Sequence, residues 1–124
     1  MESKNNAKEI VASFLDALNS RDLKAARSYL GDNVSFRAPD GAPVRGAEAY
    51  LNGWKPLGLS YEVKKTFMDG DDVCVLYDIK FSNPSVTLFA CGWYQLDKGK
   101  ISSIRVIFDP RPLFSKPSSN SNKE

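Results

Sequence analysis

Between residues 6 and 19 the apolar side chains Ala7, Ile10, Val11, Phe14, Leu15 and Leu18 recur at steps of three and four, which gathers them into one stripe along a helix. Asn19-Ser20-Arg21-Asp22 interrupts that spacing. Asp22 stands where it can cap a second helix carrying Leu23, Ala26 and Leu30, with Gly31 placed to end it. Residues 34–38 alternate with period two and predict a short strand, and Pro39-Asp40-Gly41-Ala42-Pro43 is a turn. Gly46 precedes a third, shorter helix over 47–54, stopped by Pro56 and Gly58. The second half reads as strands at 59–68, 73–81, 86–96 and 101–109. They are separated by turns at Asp69-Gly70-Asp71-Asp72, Ser82-Asn83-Pro84-Ser85 and Asp97-Lys98-Gly99-Lys100. Helices followed by a four-stranded antiparallel meander predict an α+β fold. Residues 1–113 are expected to form a single domain, and 114–124, rich in Ser, Asn and Lys, a disordered tail.

The turn at 82–85 sets a register. It pairs Phe81 with Val86, Ile79 with Leu88, Tyr77 with Ala90 and Val75 with Gly92, which puts these residues and Tyr94 on one face, toward the helices. The opposite face carries Cys74, Leu76 and Asp78 beside Phe89, Cys91 and Trp93. Such a face calls for a cover. A second copy of the chain is the expected cover, and the third helix or the tail is the alternative within one chain. If Ser102-Ser103 forms a bulge, Arg105 and Ile107 join this face, and Asp78 and Arg105 can form an ion pair there.

Composition then narrows the chemistry. The chain has 124 residues, enough for one self-sufficient core, and a formal net charge of only +2. Without a cluster of Lys and Arg in the sequence, no nucleic-acid or membrane partner is expected. The amino terminus lacks the apolar stretch of a secretory signal, and two cysteines do not make a disulfide framework, so a cytoplasmic setting with free thiols is expected. There is no histidine. That removes the usual Ser-His-Asp and Cys-His schemes and the commonest transition-metal ligand, so no metal and no cofactor are expected. The glycines at 41, 46 and 53 do not have the spacing of a phosphate-binding loop.

The helix hairpin, the Asn19-Ser20-Arg21-Asp22 break, the Pro-Asp-Gly turn, the Val44-Arg45-Gly46 step and the final Asp-Lys-Gly-Lys-Ile hairpin together resemble the nuclear transport factor 2-like superfamily, over residues 7–110. The resemblance is especially to its SnoaL-like and ketosteroid isomerase branches. The resemblance implies a cone-shaped fold, with N-terminal helices packed on a curved antiparallel sheet, and a homodimer through the outer face. In the isomerase branch a carboxylate moves the proton, while a tyrosine and a protonated aspartic acid stabilise the oxyanion. Carried onto this sequence, those positions fall on Phe14, Ala38 and Gly92. No catalytic residue is assigned, and an isomerase of that kind is not expected. Asp40, two residues past the base position, invites reading as a displaced base, but a Pro-Asp-Gly turn accounts for it. The Asp-Arg-Asp arrangement of limonene epoxide hydrolases has candidates only in Asp78, Arg105 and Asp109.

What remains for the cone is aromatic: Phe14, Phe36, Trp54, Tyr61, Tyr77, Tyr94 and Phe108 as its lining, with Val34 and Val106. Leu76, Phe89, Cys91, Trp93, Arg105 and Ile107 are assigned to the dimer interface. The expected function is a non-catalytic small-molecule-binding domain, dimeric through the sheet, for a small apolar ligand. The alternative is a SnoaL-like enzyme (isomerase, cyclase or hydrolase) acting on a hydrophobic substrate by acid–base chemistry. A cone simply filled by these aromatics would leave an interaction domain instead.

Overall fold

The computed structural model describes residues 6–39, 41–82 and 85–114. Asp40, the Asn83-Pro84 tip and positions 115–124 lie outside these, so the readings of the Pro-Asp-Gly turn, the 82–85 turn tip and the tail fall outside the described residues. Helix α1, Ala7–Asn19, begins where the Asn6 side chain accepts from the Glu9 amide. It buries the whole predicted stripe, with Phe14 and Leu18 fully inaccessible. Asp22 caps α2, Leu23–Ser28, by accepting from the Ala25 amide. That helix ends two residues before Leu30. Leu30 and Gly31 belong instead to strand β1, Leu30–Arg37, because Leu30 pairs with Ile101 of the last strand and is buried there. Strand β2, Val44–Arg45, leads into α3, Ala47–Trp54, and a 3₁₀ turn at Lys55–Leu57.

Strands β3 (Ser60–Asp69), β4 (Asp72–Ser82), β5 (Ser85–Asp97) and β6 (Lys100–Ile107) form the meander. At the β5–β6 hairpin Lys98 and Gly99 take φ of 52° and 79°, the paired positive values of a tight turn matched to sheet twist. The β4–β5 register follows the expected pairs: Val75 with Gly92, Tyr77 with Ala90, Ile79 with Leu88 and Phe81 with Val86. The anticipated bulge also forms. Gln95 pairs with Ser103 and Leu96 with Ile101, leaving Ser102 extra, its hydroxyl donating to the Gln95 carbonyl at 3.0 Å.

Two features depart from the reading of the sequence. The six strands run in the order β2-β1-β6-β5-β4-β3, and β1 lies parallel to β6, so the unclosed sheet is mixed and not wholly antiparallel. A second bulge between Val63 and Lys65 changes the face of β3: Tyr61 opposes Ile79, but Phe67 opposes Cys74 on the outer side. Helices α1 and α3 close over the inner face. No helix is long and apolar enough to cross a membrane.

Candidate functional site: an apolar cavity with a tyrosine wall

The inner face of the sheet and α3 enclose a cavity of about 240 Å³. Its walls include six of the seven predicted lining residues: Phe36, Trp54, Tyr61, Tyr77, Tyr94 and Phe108. Phe14 is the correction. It lies one layer deeper, fully buried, its ring centroid 6.4 Å from those of Tyr50 and Tyr94, because its place on the α1 stripe points it at the core behind the wall. Tyr50 takes its place among the lining residues. Its position was readable, since Ala47, Tyr50, Leu51 and Trp54 are spaced as one helical stripe, and α3 buries all four.

Four tyrosine hydroxyls and one indole line this wall. Trp54 Nε1 donates to Tyr61 Oη at 2.8 Å. The hydroxyls of Tyr77 and Tyr94 lie 2.7 Å apart, with either able to donate. Asn19, at the end of α1, fixes the strand below: its amide donates to the Tyr61 carbonyl at 2.9 Å and accepts from the Tyr61 amide at 2.8 Å. Burial, the largest influence on each, holds the Tyr50, Tyr77 and Tyr94 hydroxyls well above their ordinary range and pushes Tyr61 up to about 12. All four are therefore neutral near pH 7.

Gly92 makes the Tyr77–Tyr94 pair possible. A Cβ there would stand 2.8 Å from Tyr94 Cε1 and 2.9 Å from Tyr77 Cζ, with the Tyr77 hydroxyl nearer still. The place a side chain at 92 would occupy is filled by these rings. Ala38 lies at the cavity wall and contributes no polar group.

No carboxylate or amine is among the described lining residues, and no charged side chain is buried among the described residues. The three candidates for an Asp-Arg-Asp arrangement do not meet. Asp78 faces outward, 3.6 Å from Lys64. Arg105 is exposed on β6, opposite Trp93, two strands from Asp78 and out of register with it, so the expected Asp78–Arg105 pair does not form within the chain. Asp109 is bound by Arg111, which lowers its carboxyl to about 2, the wrong direction for an acid–base group at neutral pH. Among the described residues no group of His, Cys, Asp and Glu could hold a metal.

On the outer face, Phe67, Phe89, Trp93 and Ile107 are exposed, Phe89 by 63% and Ile107 by 59%. Leu76, Cys74 and Cys91 lie between them, half-buried. Burial and the neighbouring Cys74 raise the Cys91 thiol above its ordinary value, which keeps it protonated.

The sequence pattern of the SnoaL-like domain matches residues 11–104. The chain belongs to the SnoaL-like family. This SnoaL-like domain has the nuclear transport factor 2-like fold, as its solved relatives show. It is 39% identical to a nuclear transport factor 2-like protein of unknown function from Cytophaga hutchinsonii ATCC 33406, covering 93% of this chain and 100% of that one with a TM-score of 0.86. It is 26% identical to an LEH-like epoxide hydrolase of M. tuberculosis, covering 87% and 86% with a TM-score of 0.72. A nuclear transport factor 2-like protein of unknown function from Burkholderia pseudomallei K96243 shares the fold at 18% identity, covering 90% and 96% with a TM-score of 0.78. No curated protein matches this SnoaL-like domain.

Proposed function

We propose that this SnoaL-like domain is a non-catalytic binding domain for a small, flat, uncharged molecule bearing a hydrogen-bond acceptor, and that it works as a dimer through the outer face of its sheet. One observation carries the reading: the cavity wall is rich in neutral donors and holds no acid or base among its described residues. Trp54 N–H and the four hydroxyls supply five protons, and the Trp54–Tyr61 and Tyr77–Tyr94 bonds use two. Tyr50, Tyr61 and one of the Tyr77–Tyr94 pair retain a proton for a guest. A carbonyl oxygen has the lone pairs to take them, whereas an amine brings further donors and a carboxylate brings a charge the dry wall does not neutralise. Size restricts the guest further. A cavity of roughly 150 Å³ holds benzene, so about 240 Å³ suits one or two rings.

The likeness to an epoxide hydrolase favours an enzyme as the second reading. The dispersal of Asp78, Arg105 and Asp109 counts against it. The dimer is supported by the exposed row of Phe67, Phe89, Trp93 and Ile107 on one face, a surface of the kind that homodimers cover.

Native mass spectrometry of freshly purified protein, compared with the denatured sample, tests both parts. Twice the chain mass with a neutral passenger released on denaturation is expected, and a clean monomer refutes the dimer. Titration with 1-indanone, indane and 1-aminoindane then reads the wall. The ketone should bind best, and Tyr61→Phe should weaken it by about 2- to 13-fold, the worth of one neutral hydrogen bond. Equal binding of indane would refute the role of the hydroxyls.

A further inference from the structure

A second site stands outside the cavity, at the β2–β1–β6 end of the sheet. Of the six arginines in the chain, three have partners. Arg21 donates to the Leu18 carbonyl and lies 5.0 Å over the Trp54 ring, Arg27 bonds Asp32 and Glu48 at 2.7 and 2.8 Å, and Arg111 bonds Asp109. The other three, Arg37, Arg45 and Arg105, have no hydrogen bond or ion pair among the described residues, and all three line one groove of about 550 Å³ with Ser35 and Ser103. The register explains the gathering. Ser35 pairs with Arg45 on one side and Ser103 on the other, and Arg37 pairs with Arg105. Phe36 and Ile104, the residues between, turn to the cavity, so the flanking side chains share the opposite face.

Like charges directly opposite on neighbouring strands destabilise a sheet. Arg37 and Arg105 are such a pair, and Arg45 adds a third positive charge. No carboxylate is among the groove's described lining residues. Three guanidinium forks with two hydroxyls form a donor set for a compact anion with several oxygens and more than one charge.

We propose that this groove binds a phosphate group, as inorganic phosphate or as the head of a small phosphate monoester. A monoester carries about −1.5 to −2 charge at pH 7 and three acceptor oxygens, which matches the donors better than a single carboxylate does. The site is discrete: acidic side chains such as Glu62 and Asp78 lie among the cations of the β3–β4 end, so no basic stripe extends across the face to guide a nucleic-acid strand. It is independent of the cavity reading, and it shares only Arg105 with the interface proposed above.

The test is calorimetric titration of the full-length protein with inorganic phosphate at low ionic strength, with the dimer fraction read by native mass spectrometry in the same samples. A saturable single-site isotherm is expected. Arg37→Gln and Arg45→Gln should each weaken it about tenfold or more, the worth of a charge-assisted hydrogen bond. All three arginines are exposed, so these variants should fold. A charge-matched control, Lys8→Gln, should bind as the wild type does. Acetate should bind at least about tenfold more weakly than phosphate. No saturation, equal loss in the lysine control, or equal affinity for acetate would each overturn the assignment. So would a phosphate response that only tracks dissociation of the dimer, since the arginines would then be contacts to a second copy.

Discussion

Substituting Gly92 by Ala should be among the most damaging single-methyl changes in this protein. Gly92 sits in β5 without a positive φ, so an alanine backbone suits the strand and the whole cost is steric. The new methyl would stand 2.8 Å from Tyr94 Cε1 and 2.9 Å from Tyr77 Cζ, and both rings are almost fully buried. Overpacking of this kind costs about 1–3 kcal/mol. Separating the Tyr77 and Tyr94 hydroxyls, now 2.7 Å apart, adds about 0.5–1.5 kcal/mol. A loss of about 2–4 kcal/mol is expected against a total stability of roughly 5–15 kcal/mol. Urea unfolding followed by tryptophan fluorescence reads it as a lower midpoint at unchanged slope. Gly53→Ala is the internal control. Gly53 lies within α3 with nothing within 4 Å of its would-be Cβ, so alanine there should stabilise by about 0.5–1 kcal/mol. Adding Tyr77→Phe to Gly92→Ala removes the nearest clashing atom, so the pair should cost less than the sum of its parts. A Gly92→Ala protein within about 0.5 kcal/mol of wild type would refute the tight approach and with it the tyrosine wall.

Three further outcomes are expected. Because folding moves the ionisation of Tyr50, Tyr61, Tyr77 and Tyr94 to higher pH, their contribution to stability is complete below the unfolded value near 10 and is lost as pH climbs through the folded ones, about 12 for Tyr61. Absorbance at about 295 nm should show much less tyrosinate at pH ~11 in the native protein than in urea, and equal signals would contradict the buried wall. Asn19→Ala removes both bonds to the Tyr61 backbone and should cost about 1–2 kcal/mol by thermal melting; an unchanged melting temperature would show the α1–β3 clamp to be idle. Trp93→Glu places a charge in the centre of the outer face and should convert the proposed dimer to monomer mass, whereas a persistent dimer would move the interface elsewhere.

Local chemistry made much of this fold legible. The α1 stripe, the Asp22 cap and the 81–86 pairing each depend on spacings within about a dozen residues, and each was found where the sequence placed it. Two kinds of feature were not legible. The bulge at Lys64 falls where the alternation of Tyr61-Glu62-Val63 stops at two successive lysines. A lysine pair fits an exposed strand face equally well, so the sequence does not by itself announce the change of face that sends Phe67 outward. The parallel pairing of β1 with β6 joins segments far apart in the chain, and it alone brings Arg37 beside Arg105 and takes Leu30 out of the second helix. The cavity lay between these cases. Its aromatic strand residues followed from face parity, Phe14 was misplaced by one layer, and Tyr50 stood in a readable helical stripe with Trp54.

That same parallel pairing governs when the protein can fold as it is made. Leu30 pairs with Ile101, about 70 residues later in the chain, and a ribosome adding roughly 5–20 residues per second needs about 4–14 s to bridge that gap. During that interval Leu30 and Val34, both buried in the finished sheet, lack the strand that receives them. The meander β3–β4–β5, whose pairings are local, can assemble first, leaving β5 as an open edge until β6 arrives. The nascent chain is therefore most exposed to edge-to-edge association late in its synthesis, after residue 97 and before residue 107.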